Sequence, residues 1–174
     1  MPVALACRTP TGAVWSRYIA TRARQALRAL GIRRSELSVS LVADPEMRAL
    51  NRAYRGKNRP TDVLAFPLHA SPVPSDAASL GDVVISLDTA ALAARERRRP
   101  LAAVLDELVI HGILHLLGFD HELSPAEDRR MARTARAVRT AIGRLTPPAR
   151  ARSGRPPASR ARRPRARAAR VRRA

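Results

Sequence analysis

The sequence predicts an α/β (α+β) fold: a single small domain with a mixed sheet of about four strands packed by helices, the central helix carrying two histidines. Three observations predict it. Short β-rich apolar runs alternate with segments of helical period, so strands and helices interleave. The segment Leu101–Leu117 is apolar around most of its circumference, which places it inside rather than on the surface. A chain of 174 residues with 45% hydrophobic content is long enough to bury a core as one domain.

The elements follow in order. Val3–Cys7 reads as a first strand. Trp15–Leu30 is an amphipathic helix, with Trp15, Ile19, Ala23, Ala26, Leu27 and Leu30 on one face and Gly31 as its stop. Leu37, Val39 and Leu41 alternate along a strand. Asp44-Pro45 opens a helix, aspartate as N-cap and proline at the first helical position, and Met47, Leu50 and Tyr54 form its apolar face. Arg55–Thr61 is a polar basic loop, Asp62–Phe66 a short strand ended by Pro67, and His69–Leu80 a loop without periodicity in which His69 is exposed. Gly81–Leu87 is a further strand, after which Asp88 caps a helix to about Arg98 and Pro100 opens the next. Gly118 ends that helix, and the capping box Ser124-Pro125-Ala126-Glu127 begins a last helix to about Ile142.

Charge separates the chain into two parts. The net charge is +19, yet residues 144–174 hold twelve arginines and no acid, leaving +7 on residues 1–143. Within that basic segment the stretch 151–174, rich in arginine, proline and alanine, has one large aliphatic residue, Val171, too little to offset the entropy of ordering, and residues 144–174 are expected to be a disordered basic tail. Two readings of it stay open: an arm for phosphate backbones, or a solvated tail of biased composition, since Lys57 is the chain's one lysine. The core's own positive charge points to a polyanionic partner. The longest apolar run is too short to span a bilayer, and Met1–Thr9 lacks the pattern of a secretory signal, so the expected location is the cytoplasm. Cys7, the single cysteine, excludes an intrachain disulfide and a multi-cysteine zinc site.

Three of the four histidines fall in His111-Gly112-Ile113-Leu114-His115-Leu116-Leu117-Gly118-Phe119-Asp120-His121. Positions i and i+4 share a helix face, so His111 and His115 reach one point, and a left-handed turn at Gly118 swings His121 back towards it. Three imidazoles without a fourth protein ligand describe a catalytic zinc-type site, which lowers the pKa of bound water to about 7. Imidazole also suits nickel, copper and iron. The positions match the long zinc signature of metzincin peptidases, but Gly112 stands where those enzymes carry the glutamate base. Glu107, one turn earlier, is either a partner for the second ring nitrogen of His111 or an ordinary helix charge. Asp120 is either a turn former or an acid behind the ligands. A structural zinc would need a fourth ligand, for which Cys7 and Asp120 are the candidates.

The segment HGILHLLGFDH resembles the signature of the YbeY family of bacterial endoribonucleases. Two further blocks resemble that family in the same order: LNRAYRGKNRPTDVLAFP, from Leu50 to Pro67, and LGDVVIS, from Leu80 to Ser86. The departures are Ala65, where serine is more frequent, and Phe119, where tyrosine is common; neither touches the histidines. The resemblance implies a single-strand-preferring, zinc-dependent endoribonuclease. It would process the 3′ end of precursor 16S ribosomal RNA and serve ribosome quality control. The implied partners are that RNA and the small ribosomal subunit, with ribosomal proteins or an assembly GTPase beside them. It implies a functionally important arginine at Arg55, with His111, His115 and His121 as metal ligands. The residues agree: Arg55, Lys57 and Arg59 set three cations on one loop, and the guanidinium fork suits phosphate oxygens. The alternatives are a non-catalytic assembly factor with a structural zinc and a metzincin-like zinc peptidase.

Overall fold

The computed structural model describes residues 2–9, 12–69 and 78–145. The order is β1 (Val3–Cys7), α1 (Gly12–Ala29), β2 (Glu36–Val42), α2 (Asp44–Arg55), β3 (Val63–Pro67), β4 (Ser79–Ser86), α3 (Leu87–Glu96), α4 (Leu101–Leu116) and α5 (Pro125–Leu145). The four strands form one sheet in the order β1-β2-β4-β3. β1, β2 and β4 run parallel, and β3 pairs antiparallel with β4 through Leu64↔Val84. The mixed four-stranded sheet predicted from the sequence is the sheet observed.

Strand alternation divides the core between the two faces of the sheet. Val39, Leu41, Val83 and Ile85 pack with α1, α3, α4 and α5 in the main cluster, which includes Ile19, Leu27, Leu105, Ile113 and Val138. Val42, Leu64 and Val84 point the other way and pack with Met47 of α2. β4 is therefore buried on both faces, as its nearly continuous apolar run requires. α4 buries nine of its sixteen residues and lies at the centre of the main layer.

Two predicted caps are not the caps observed. Asp44 does not cap α2: Ala43 is the N-cap, without a side-chain bond. The Asp44 carboxylate instead accepts from Ser86 Oγ at 2.5 Å and Thr89 Oγ1 at 2.6 Å, at the start of α3. Asp88 does not cap α3, whose N-cap is Ser86, accepting from the Thr89 amide. Asp88 accepts instead from the Asp44 amide at 3.0 Å. The start of α2 is thus met by the acid of α3, while Asp44 holds the two hydroxyls at the start of α3, a pairing across 44 residues that local sequence rules do not see. The last helix begins as expected, with Ser124 Oγ accepting from the Glu127 amide at 3.2 Å. It runs to Leu145, past the expected end at Ile142. His69 is half-buried rather than exposed, its Nε2 within 2.9 Å of the Ser79 carbonyl. The predicted basic tail lies, beyond Leu145, outside the described residues. No helix among the described residues is long and apolar enough to cross a membrane.

Candidate metal centre and its cleft

α4 and the turn that ends it build the site. At that end, the Gly118 amide donates to the His115 carbonyl at 3.0 Å and the Phe119 amide to the Leu114 carbonyl at 3.0 Å. That pair of bonds is a Schellman turn, and it requires the left-handed backbone that Gly118 adopts at φ 82°. Asp120 closes the next bend by accepting from the Glu122 amide at 2.9 Å, so of its two readings the turn former is the one seen. The reversal returns His121 to the face of α4 that carries His111 and His115.

The three imidazoles meet there, each offering a ligand atom within 4.8 Å of the others. The Nε2 atoms of His111 and His115 are 3.0 Å apart. His121 Nδ1 is buried without a hydrogen-bond partner. Burial, reinforced by the neighbouring imidazoles His115 and His121, lowers the pKa of His111 to about 4. Burial and His121 lower His115 in the same direction. Both rings are therefore neutral at pH 7, the form that donates a lone pair to a metal. The set fits a borderline cation with nitrogen ligands. Neither candidate for a fourth ligand joins it: the Cys7 thiol, at the end of β1, donates to the Thr9 carbonyl, and Asp120 serves its turn.

The cluster opens into a cleft of about 760 Å³ between the His121 turn, β3 and the end of α2. Arg55, the last residue of α2, lines the same cleft. Its Nη2 lies 3.4 Å from Glu122 Oε1, and both side chains are largely exposed. A pair of that kind contributes only about 0–1 kcal/mol and exchanges readily for a stronger anion. Lys57 and Arg59 lie on the following loop and do not line the cleft.

A family model described as Endoribonuclease YbeY matches residues 11–143. The chain belongs to the YbeY family. Endoribonuclease YbeY of Anaeromyxobacter sp. (strain Fw109-5) is 51% identical over 143 residues, covering 82% of this chain and 73% of that protein. Endoribonuclease YbeY of Aquifex aeolicus (strain VF5) is 47% identical over 108 residues, covering 62% of this chain and 71% of that protein. The solution structure of TM1509 from Thermotoga maritima is similar with a TM-score of 0.58 at 28% identity, covering 82% of this chain and 91% of that one.

The packing of α4 on the sheet accounts for Gly112. A Cβ built there would stand 2.6 Å from Val83 Cγ1 and 3.0 Å from Val83 Cγ2, and Val83 is buried in β4. The helix crosses the sheet too closely for any side chain, so the glutamate base of a metzincin has no room at this position. Gly112→Glu is expected to cost about 3 kcal/mol or more, from overpacking and a buried carboxylate. Thermal unfolding checks this: a midpoint equal to that of the unmodified chain would mean the helix can lift off Val83.

Glu107 does not reach for His111. Its two carboxylate oxygens accept from Arg99 at 2.8 Å each, and Arg139 adds a bond at 2.7 Å. The Arg99 hydrogen bonds hold its pKa below the ordinary glutamate value. A depressed carboxylate contributes stability above its unfolded pKa, and that contribution fades as pH falls through the folded one. Glu107→Gln should therefore lower the melting temperature at pH 7, and the gap should close below about pH 4. A gap independent of pH would show packing rather than charge.

Two further residues line the cleft, Tyr54 and Asp62, and Asn51 holds the loop beside it; the sequence reading gave none of them a place in the site. Tyr54, expected on the apolar face of α2, is 68% exposed and sits edge-on to Phe66, with ring centroids 4.8 Å apart. Asp62 lines the cleft beside His111 and its charge is felt there; its Oδ1 accepts from the Val63 amide at 2.9 Å. Asn51 is 2% exposed, and its Nδ2 donates to the Arg59 carbonyl at 2.7 Å, pinning the basic loop. The signal for Asp62 and Tyr54 was their place in the blocks that carry the family resemblance. Asn51 had no signal beyond an amide on a helix.

Proposed function

We propose that this protein is a zinc-dependent endoribonuclease that prefers single-stranded RNA and processes the 3′ end of precursor 16S ribosomal RNA in the cytoplasm. Ribosome quality control, and partners on the small subunit such as ribosomal proteins or an assembly GTPase, belong to the same proposal. The observation that carries it is the shared cleft: Arg55 and the three histidines face one groove in a chain of the YbeY family. His111, His115 and His121 are the residues that would hold the ion, which supplies Lewis-acid polarisation of a phosphoryl oxygen and activation of water.

The chain's own groups do the rest. Arg55 leaves its loose pair with Glu122 and neutralises charge on the phosphoryl group. Asp62 adds a negative charge that favours a cation among the three imidazoles. The exposed Tyr54 ring, supported by Phe66, offers a stacking face for an unpaired base, which is the support for a single-strand preference. Lys57 and Arg59 meet the RNA backbone outside the cleft. The arginine-rich segment 146–174 adds an accessory arm for phosphate.

The test is cleavage of an RNA spanning an immature 16S 3′ end by the zinc-loaded protein. Cuts are expected in the unpaired segment, none in a duplex of the same sequence, with rates falling as salt rises. Bound zinc at one equivalent with no cleavage, with or without small subunits, would overturn the nuclease reading in favour of an assembly factor.

A further inference from the structure

On the far side of His111 from Arg55 lies a second cavity of about 500 Å³, between α4, α5 and the end of α3. Val104, Leu108 and Ala135 give it an apolar floor, and Arg97, Arg136 and Arg139 stand around it. Three residues, Asp62, Val63 and His111, line both this cavity and the metal cleft, so the two are continuous around the histidine cluster. Its volume lies within the range of about 300–1,000 Å³ typical of sites for small organic groups.

The charges are not equivalent. Glu107 is saturated by Arg99 and Arg139, so those three groups satisfy one another. Arg97 and Arg136 are exposed, and neither guanidinium forms an ion pair among the described residues. Arg97 acts on Glu107 only through space, so two guanidinium groups without an ion pair stand over an apolar floor, which matches a phosphate attached to a flat, weakly polar ring.

We propose that this cavity is a subsite for the nucleotide next to the scissile phosphate, its phosphate held by Arg97 and Arg136 and its base laid on the floor of Leu108 and Ala135. The proposal rests on the nuclease reading above. Continuity through His111 selects an RNA strand as the occupant over a free anion or an acidic peptide: a strand engaged at the histidines must leave the cleft, and this is a charged exit that adjoins it. With the Glu107 carboxylate occupied by arginines, the floor has little to read base edges with, so recognition there is tolerant of sequence.

The experiment uses the full zinc-loaded chain and a short single-stranded RNA carrying one 4-thiouridine, moved a position at a time. After irradiation, crosslinked residues are identified by mass spectrometry. A label beside the cleaved bond is expected to mark α5 between Ala132 and Arg139, and a label at the bond to mark the turn of Phe119–His121. Arg97→Ala with Arg136→Ala should abolish the α5 crosslink, raise KM about tenfold, and reduce the salt dependence of binding by about two ions. Ala132→Trp, at an exposed lining position, fills the cavity without altering charge and should remove the same crosslink. Crosslinks confined to the cleft from every labelled position, or an unchanged KM in the double variant, would overturn the subsite and leave the nuclease reading intact. Absence of crosslinks from both cleft and cavity would overturn the two together.

Discussion

His115→Ala is expected to abolish both zinc binding and RNA cleavage. His115 Nε2 lies 3.0 Å from His111 Nε2, and its removal leaves only His111 and His121 in the cluster, with no other described residue grouped with them to replace the third ligand. Loss of a group that only supports a ligand already costs about 10–100-fold in metal affinity; loss of a ligand should exceed that. Zinc content by atomic absorption and product mapping on the same RNA measure the two losses separately. The fold should survive, because the substitution removes a half-buried imidazole whose charged form is already disfavoured and leaves the Leu114 and His115 backbone bonds of the Schellman turn in place. Unchanged circular dichroism would confirm this. A zinc-free variant that still cuts at the same positions would remove the ion from the reaction and return the histidines to a bracing role.

The features legible in the sequence were those set by local chemistry. Alternation in Leu37, Val39 and Leu41, the stop at Gly118 and the box from Ser124 to Glu127 all depend on neighbours within one turn, and all appear in the structure. The histidine cluster was legible for the same reason: i and i+4 on a helix, then a glycine turn, bring three rings together with no long-range information. What was not legible depends on contacts between distant segments. Asp44 and Asp88 look like caps of their own helices, yet Asp88 meets the first amide of α2 and Asp44 holds the hydroxyls of Ser86 and Thr89 at the start of α3. Glu107 lies at helical spacing from His111, yet Arg99 and Arg139 outcompete an imidazole for its carboxylate. Tyr54 fits the apolar period of α2, but it lies over the edge strand β3, where it meets Phe66 edge-on and stays exposed. The reason for Gly112 was also hidden: the sequence shows what is missing there, while the approach of Val83 shows why nothing else fits.

Arg55→Ala is expected to keep zinc at one equivalent and to lower kcat/KM by about 10²–10³, the usual size for removing one donor aimed at developing charge. Loss of fold cannot account for such a drop. Arg55 is 44% exposed at the end of α2, and its pair with Glu122 at 3.4 Å is a surface contact, of a kind that contributes about 0–1 kcal/mol. Two further variants separate charge stabilisation from a positioning role. Were Arg55 needed only to tether Glu122, and through it the turn that carries His121, then Glu122→Ala would reproduce the loss. If it instead acts on the phosphoryl group, Glu122→Ala frees the guanidinium and activity is kept or rises. Arg55→Lys retains a point charge without the planar fork, so it should recover only part of the rate. Full recovery by lysine would mean that charge suffices and the fork does not matter. Unchanged turnover in Arg55→Ala would take the residue out of the reaction and leave the histidine cluster to act without a cationic partner from α2.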